Sequence, residues 1–371
     1  MSNANLAHAK QAKNDEFYTQ FNDIEAEMTA YYEYNHEVFR NKIILMPCDD
    51  PEWSNFVRFF ATNFKRYGIK ALISTSYANS GTNDKLTDAE KNSPIYDPVK
   101  HKTRGKLFVM TGDMNGDGKI DSDDVSFQKY LEGDGDFRSE EVTRLRDEAD
   151  IIVTNPPFSL FREFVKWIME GEKQFAVIGS MNAITYKEIF PLIKDNKIWL
   201  GTTTPKEFVE PSGTTKKFGN INWYTNLDHG IRHEKLILDT MANNLRFNKT
   251  LRKKFTKYGD PNHYPKYDNY NAIEVPVVKC IPSDYAGAMG VPISFLDKYN
   301  PEQFDIIGTD ANNMVDELGI KPIGQKWVDA YKAHGGTGHI TANMHSLVFT
   351  AANGNGITTY KRILIRNKEA K

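Results

Sequence analysis

Cysteine is scarce: Cys48 and Cys280 are the only two in 371 residues, which excludes a disulfide framework and fits a reducing, cytoplasmic compartment. No apolar run approaches the length that spans a bilayer, and the start, Met1-Ser2-Asn3-Ala4-Asn5, is not a signal peptide. An excess of one charge is missing too. With a net charge of -2, the whole molecule does not attract nucleic acid, so any polyanion must be met by a local basic surface. Also absent is the glycine-rich turn with which nucleotide-binding folds grip a pyrophosphate. The rest is ordinary globular material, 40% hydrophobic and 26% charged, enough for one large domain or two smaller ones.

The most informative stretch is Asp150-Ile151-Ile152-Val153-Thr154-Asn155-Pro156-Pro157-Phe158. An apolar run that stops at a polar residue and two prolines reads as a buried strand ending at a sheet edge. Pro156 and Pro157 fix their own φ, and Asn155 is kept out of the helical region by the proline after it. The tetrapeptide is therefore stiff. It offers an amide oxygen and a main-chain carbonyl at defined positions, followed by an aromatic face. That set suits a flat heterocycle with an exocyclic amine: Asn155 Oδ1 and the Pro156 carbonyl accept its two N–H groups while Phe158 stacks on the ring. The plain alternative is a strand-ending turn with a core phenylalanine.

Upstream, Tyr18-Thr19 precedes a helical pattern through Ile24, Met28, Tyr31 and Tyr32, and could lie over a ligand or form a simple arm. A strand at Lys42 to Met46 runs into the turn Pro47-Cys48-Asp49-Asp50-Pro51-Glu52, where Asp50 has the makings of an N-cap with Pro51 at the first helical position. Doubly wound α/β folds place nucleotide-like ligands at such a turn. Here Asp49 or Asp50 suits the α-amino group of a ligand. A second strand, Ile69 to Ser74, ends in Ser74-Thr75-Ser76, hydroxyls rather than the acid that often holds a ribose. Residues 79 to 105 read as a polar surface excursion.

Asp113, Asn115, Asp117, Lys119, Asp121 and Asp124 stand at positions 1, 3, 5, 7, 9 and 12 of a loop with glycine at 6 and an apolar residue at 8. The pattern looks like a calcium loop of EF-hands and dockerins, with aspartate in place of the usual final glutamate. Two readings stay open: a structural calcium site inserted at residues 112-126, or an acidic hairpin between strands at 106 to 111 and 127 to 132. In Gly133-Asp134-Gly135-Asp136-Phe137, Asp136 could accept an adenine 6-amino group while Phe137 packs on the ring; a plain turn is the alternative. Helices at 138 to 148, 159 to 170 and 186 to 194, and strands at 174 to 180, 198 to 200 and 221 to 225, continue the α/β alternation, the last two strands giving an antiparallel finish at one edge. Beyond residue 240 the basic cluster Lys249, Arg252, Lys253, Lys254 and Lys257 is followed by Tyr258, Tyr264, Tyr267 and Tyr270, a mixture suited to phosphate contact and base stacking.

Several stretches, in consistent order over most of the chain, together resemble the EcoRI-type adenine-specific DNA methyltransferases, within the S-adenosylmethionine-dependent N6-adenine enzymes. They are Asn14 to Thr19, Pro47 to Phe56, Gly133 to Arg138, Asn155 to Glu163, Asn182 to Glu188, Trp223 to Leu227, Tyr267 to Tyr270, and Gly290-Val291-Pro292 with Phe295-Leu296-Asp297. The resemblance implies an α/β fold, a Rossmann-like seven-stranded methyltransferase sheet over residues 1-240, with a C-terminal target-recognition region over 241-371. It implies S-adenosylmethionine as cofactor, double-stranded DNA as partner, and a monomer. Phe17, Tyr18 and Thr19 would lie near the methionine part of the cofactor, Pro47, Asp49 and Asp50 in its first loop, and Asp136 and Phe137 on its adenine. Asn155, Pro156, Pro157 and Phe158 would hold a target adenine flipped from the duplex. The chain departs from the general pattern in lacking a Gly-x-Gly loop and an acid after the second strand, so no ribose ligand is named.

Two rival functions remain at this level. One is an S-adenosylmethionine enzyme acting on RNA adenine or protein glutamine; Phe158, where glutamine enzymes typically carry tyrosine, favours adenine. The other is a non-catalytic, calcium-responsive interaction protein built around residues 113 to 124.

Overall fold

The computed structural model describes residues 18–50, 54–78, 96–121, 124, 126–209, 215–217, 219–311 and 314–370. Two compact units divide the chain: Met1–Ala183 with Ile198–His229, and Ile184–Lys197 with Gly230–Lys371.

The first unit is α/β. Its strands are β1 (Tyr18–Thr19), β2 (Ile43–Met46), β3 (Ala71–Ser76), β4 (Lys106–Met110), β5 (Ser126–Tyr130), β6 (Ile151–Thr154), β7 (Gln174–Ser180), β8 (Trp199–Leu200), β9 (Glu207–Val209), β10 (Thr215–Lys217) and β11 (Ile221–Thr225). Eight of them form one mixed sheet in the order β5-β4-β3-β2-β6-β7-β11-β8, one strand more than the seven expected. The four central strands run parallel, and antiparallel neighbours close both sides. β4 and β5 form the antiparallel hairpin that carries the acidic loop, and β8 on β11 is the antiparallel finish read from the sequence. Both phases of the β6 alternation are buried, Ile151 and Val153 on one face, Ile152 and Thr154 on the other, so the sheet is covered on both sides as parallel sheets require.

One face packs on Ile24, Met28 and Tyr31 of the helix Phe21–Tyr34 and on Phe56, Phe59 and Phe60 of the helix Asn55–Thr62. That second helix starts later than the sequence suggested. Its cap is Ser54, whose hydroxyl accepts the Phe56 N–H at 3.1 Å, and the Asp50 carbonyl accepts the Ser54 N–H at 2.7 Å; Pro51, read as the first helical position, lies outside the described residues. A short helix, Pro98–Thr103, capped by Asp97, interrupts the segment read as a surface excursion. β1 pairs with β9, so Tyr18 and Thr19 belong to a small three-stranded sheet.

Glu27 holds the helix Phe21–Tyr34 in place. It is fully buried and accepts from the Tyr31 hydroxyl at 2.5 Å, from the Thr202 N–H at 2.8 Å and hydroxyl at 2.9 Å, and from the Thr203 N–H at 2.7 Å and hydroxyl at 2.6 Å. Burial raises its pKa and the hydrogen bonds oppose that shift. A side chain on Gly201 would clash with this carboxylate.

The second unit contains β12 (Ala272–Glu274), β13 (Ala288–Pro292), β14 (Phe304–Thr309), β15 (Val348–Thr350), β16 (Gly356–Thr358) and β17 (Arg362–Asn367). Four pair in the order β12-β13-β17-β14, and β15 pairs with β16. At its centre Arg362 makes a bidentate pair with the fully buried Glu274, at 3.0 and 2.6 Å, and the Tyr267 hydroxyl donates to the same carboxylate. Among the described residues, no helix is long and apolar enough to cross a membrane.

The two oxygens of Glu27 each face a main-chain N–H, which cannot rotate away. Glu27→Gln is therefore expected to set an amide N–H₂ against one of them and to lower stability by about 1–3 kcal/mol, measured by urea denaturation; unchanged stability would show that the donors find other partners.

Candidate active site

The carboxyl ends of β2, β3 and β6 lie side by side at one edge of the parallel sheet, with β2 flanked by β3 and β6. This reversal of strand order is where open α/β sheets bind ligands. Here the turn after β2 and the stiff tetrapeptide after β6 come together through one side chain. Asp49, itself buried, accepts the Ser54 hydroxyl on Oδ1 at 2.7 Å and the Thr154 hydroxyl on Oδ2 at 2.6 Å. Ser54 is thus both the cap of its helix and one end of a bracket whose other end is the residue before Asn155. β3 adds further ties: the Thr75 hydroxyl donates to the Pro47 carbonyl at 3.0 Å, the Ser74 hydroxyl to the Asp49 carbonyl, and the Asp49 N–H to the Thr75 carbonyl at 3.1 Å. The neighbouring Asp50 carries its own counter-ion, Lys106, at 3.4 Å.

Asn155 and Phe158 are half-buried at the mouth of this edge, Pro156 is buried, and Phe158 packs on the main core cluster. Pro157 has φ -56° and ψ 123°, the extended geometry that two successive prolines favour. Its carbonyl accepts the Leu160 N–H at 2.9 Å, which starts the turn into the helix Phe161–Glu170.

The loop Gly133 to Phe137 lies at the same edge. Asp136 binds the Arg138 main chain at 2.8 Å and its guanidinium at 2.9 and 2.6 Å, and Arg138 continues to Glu163 at 2.7 Å. Burial of Asp136 works against ionisation, but the Arg138 contacts outweigh it and hold the carboxyl below its usual range. Phe137 is buried edge-on against Phe164 and Trp167, so it anchors the loop to the helix Phe161–Glu170. Thr19 lies at the turn's far end, where its carbonyl accepts the Asn55 amide at 2.8 Å. Phe17 lies outside the described residues, as do Pro51, Glu52 and Trp53, and of Tyr18 only the strand placement is described.

In the acidic loop, Asp113 accepts the Gly116 and Gly118 N–H groups at 2.6 and 2.9 Å, and Asn115 and Asp117 accept from Asp117 and Lys119. Asp124 accepts from Met114, Asn115 and Asp121 at 2.7, 3.1 and 2.9 Å. Ile120 packs on the main core. Among the described residues, no group of three or more carboxylate, histidine or cysteine side chains is placed to hold a metal ion. Asp113, Asn115, Asp117 and Asp124, read as calcium ligands, thus accept N–H groups of the loop's own backbone.

In the second unit, Lys249, Arg252, Lys253, Lys254 and Lys257 stand exposed on one helix, Lys249–Lys257, whose Leu251 and Phe255 face the core. The tyrosines that follow it are not free to stack on bases. Tyr264 and Tyr267 are buried and hydrogen-bonded to the Cys280 carbonyl and Glu274, and Tyr258 and Tyr270 pack against the core cluster.

Comparison with known proteins accords with this arrangement. The family profile described as "Adenine-specific methyltransferase EcoRI" matches residues 5–368. The chain belongs to the EcoRI family of adenine-specific methyltransferases. It is 42% identical over 324 residues to the Type II methyltransferase M.EcoRI of Escherichia coli, covering 82% of this chain and 89% of that one. It is 35% identical over 323 residues to M.MgeORF184P of Mycoplasma genitalium, covering 82% and 86%, and 34% identical over 323 residues to M.MpnI of Mycoplasma pneumoniae, covering 82% and 85%. No solved structure matches.

For this EcoRI-family enzyme the sequence pointed to Asn155 but not to the bracket that fixes it. Thr154, Ser54 and Lys106 carry no motif of their own; the only signal was a threonine closing an otherwise apolar strand. Thr154→Val keeps the shape and removes the hydroxyl, leaving buried Asp49 Oδ2 without its donor. A loss of about 1–3 kcal/mol in unfolding free energy is expected, largely restored in Thr154→Ser; a neutral Thr154→Val would dismiss the bracket.

Proposed function

We propose that the chain is a sequence-specific DNA adenine-N6 methyltransferase that takes its methyl group from S-adenosylmethionine and acts on an adenine turned out of the duplex. The observation that carries this reading is the Asp49 bracket, which couples the turn after β2 to the strand end bearing Asn155. The four parallel strands, with antiparallel strands on either side, are read as a Rossmann-like methyltransferase sheet to which one strand has been added.

Two buried hydroxyls at this edge, Thr19 Oγ1 and Ser76 Oγ, have no hydrogen-bond partner among the described residues. Buried polar groups are nearly always paired, so both fit a polar ligand such as the cofactor. Thr19, with Phe17 and Tyr18, is assigned to the methionine end, and Pro47 and Asp50 to the first loop, where Asp50 receives the α-amino group beside Lys106. Asp49 holds the loop through Ser54 and Thr154, one donor on each oxygen. Asp136 has room for one further donor after Arg138, enough for an adenine amino group, with Phe137 holding the loop from behind.

S-adenosylmethionine supplies a methyl group already activated on a sulfonium. The protein's contribution is therefore alignment and charge stabilisation. Asn155 Oδ1 and the Pro156 carbonyl accept the two N–H groups of the target amine and stabilise the positive charge that grows on its nitrogen. Pro157 keeps them stiff and Phe158 stacks on the base. Extruding adenine costs a few kcal/mol, which stacking and these hydrogen bonds offset. The exposed basic side chains of the helix Lys249–Lys257, in the region from residue 241 that we assign to target recognition, are suited to backbone phosphates.

Asn155→Ala tests the reading. N6 methylation of duplex DNA is expected to fall by at least about a hundredfold, while S-adenosylhomocysteine binding by calorimetry persists; turnover close to wild type would remove Asn155 from the mechanism.

A further inference from the structure

β3 ends at Ser76, the place where doubly wound folds put the side chain that receives a nucleotide's ribose. Ser76 is only 6% exposed, and its hydroxyl has no partner among the described residues. The hydroxyls around it are taken: Ser74 donates to the Asp49 carbonyl, Thr75 to the Pro47 carbonyl at 3.0 Å, and Tyr77 to Asp134 at 2.7 Å. Leaving such a group unpaired is costly, and the free position is surrounded by groups that we assign to the two ends of one ligand.

Side chains two residues apart on a strand share a face, so Ser76 lies on the side of Ser74, which reaches the turn after β2. Its cross-strand partner is Lys106, whose ammonium meets Asp50 of that turn. On the other side the Gly133 to Phe137 loop is pressed against Ser76. The Ala78 N–H donates to the Asp134 carbonyl at 2.7 Å. A Cβ on Gly105 would come within 2.6 Å of the Ser76 carbonyl, and one on Gly135, whose φ is +84°, would overlap it. Ser76 thus stands between the turn assigned to the amino-acid end and the loop assigned to adenine.

We propose that Ser76 is the ribose ligand of the S-adenosylmethionine site, its hydroxyl exchanging a hydrogen bond with one ribose hydroxyl; this rests on the cofactor reading given above.

The test is calorimetric binding of S-adenosylhomocysteine and its 2′-deoxy and 3′-deoxy analogues to the full chain, wild type and Ser76→Ala. The variant should bind S-adenosylhomocysteine about three- to tenfold more weakly, yet bind one of the deoxy analogues as well as wild type does. Equal weakening for all three ligands, or none, overturns the proposal while leaving the cofactor reading intact. Failure of the wild type to bind S-adenosylhomocysteine overturns both. Should Ser76→Ala not fold, Ser76→Cys, of similar size but a weak donor, is put through the same comparison.

Discussion

One carboxylate, that of Asp49, joins two segments 105 residues apart in sequence. It can do so because β2 and β6 pair in parallel, Ile44 with Ile151 and Leu45 with Ile152, which brings the residues that follow each strand to the same edge. A slip of one residue would turn Thr154 to the opposite face of the sheet. The bracket therefore depends on the whole parallel core being in register. It also gives the core a chemical consequence: the turn we propose for the cofactor and the tetrapeptide we propose for the base share a buried anchor rather than two independent ones. Alignment, the main requirement of a transfer from an already activated methyl group, then follows from strand pairing.

Much of this was legible from residues alone. The strand before Asn155, the turn at Pro47 to Asp50 and the antiparallel finish at residues 221 to 225 each announced themselves through apolar runs that stop at turn-forming residues. What could not be read was partnership. Nothing local says that Asp49 accepts from Ser54 and Thr154, or that Arg138 joins Asp136 to Glu163, because those choices are made by residues distant in sequence or by rotamers that only packing decides. The helix start moved from Asp50 to Ser54 for the same reason. Several residue types cap equally well, and the one chosen is set by where the turn must go.

The acidic loop and the tyrosines of the second unit show how much a local pattern leaves open. Oxygen-bearing residues at calcium spacing also suit a hairpin that must satisfy its own N–H groups, and Asp113 and Asp124 are used that way. Tyr264 and Tyr267 look like stacking platforms beside a basic helix, yet they build a core around the buried Glu274–Arg362 pair. A side chain on Gly290 would overlap the Tyr267 ring, which shows how closely that core is filled. The exposed charge is left to the helix Lys249–Lys257, whose apolar residues, Leu251 and Phe255, lie four apart.

The account stands or falls on where the methyl group goes. Genomic DNA from cells that lack adenine methylation of their own, made to express this chain and then sequenced by a method that detects N6-methyladenine, should carry the mark at one recurring short sequence and nowhere else. Unmarked DNA from cells that contain the folded protein would contradict it.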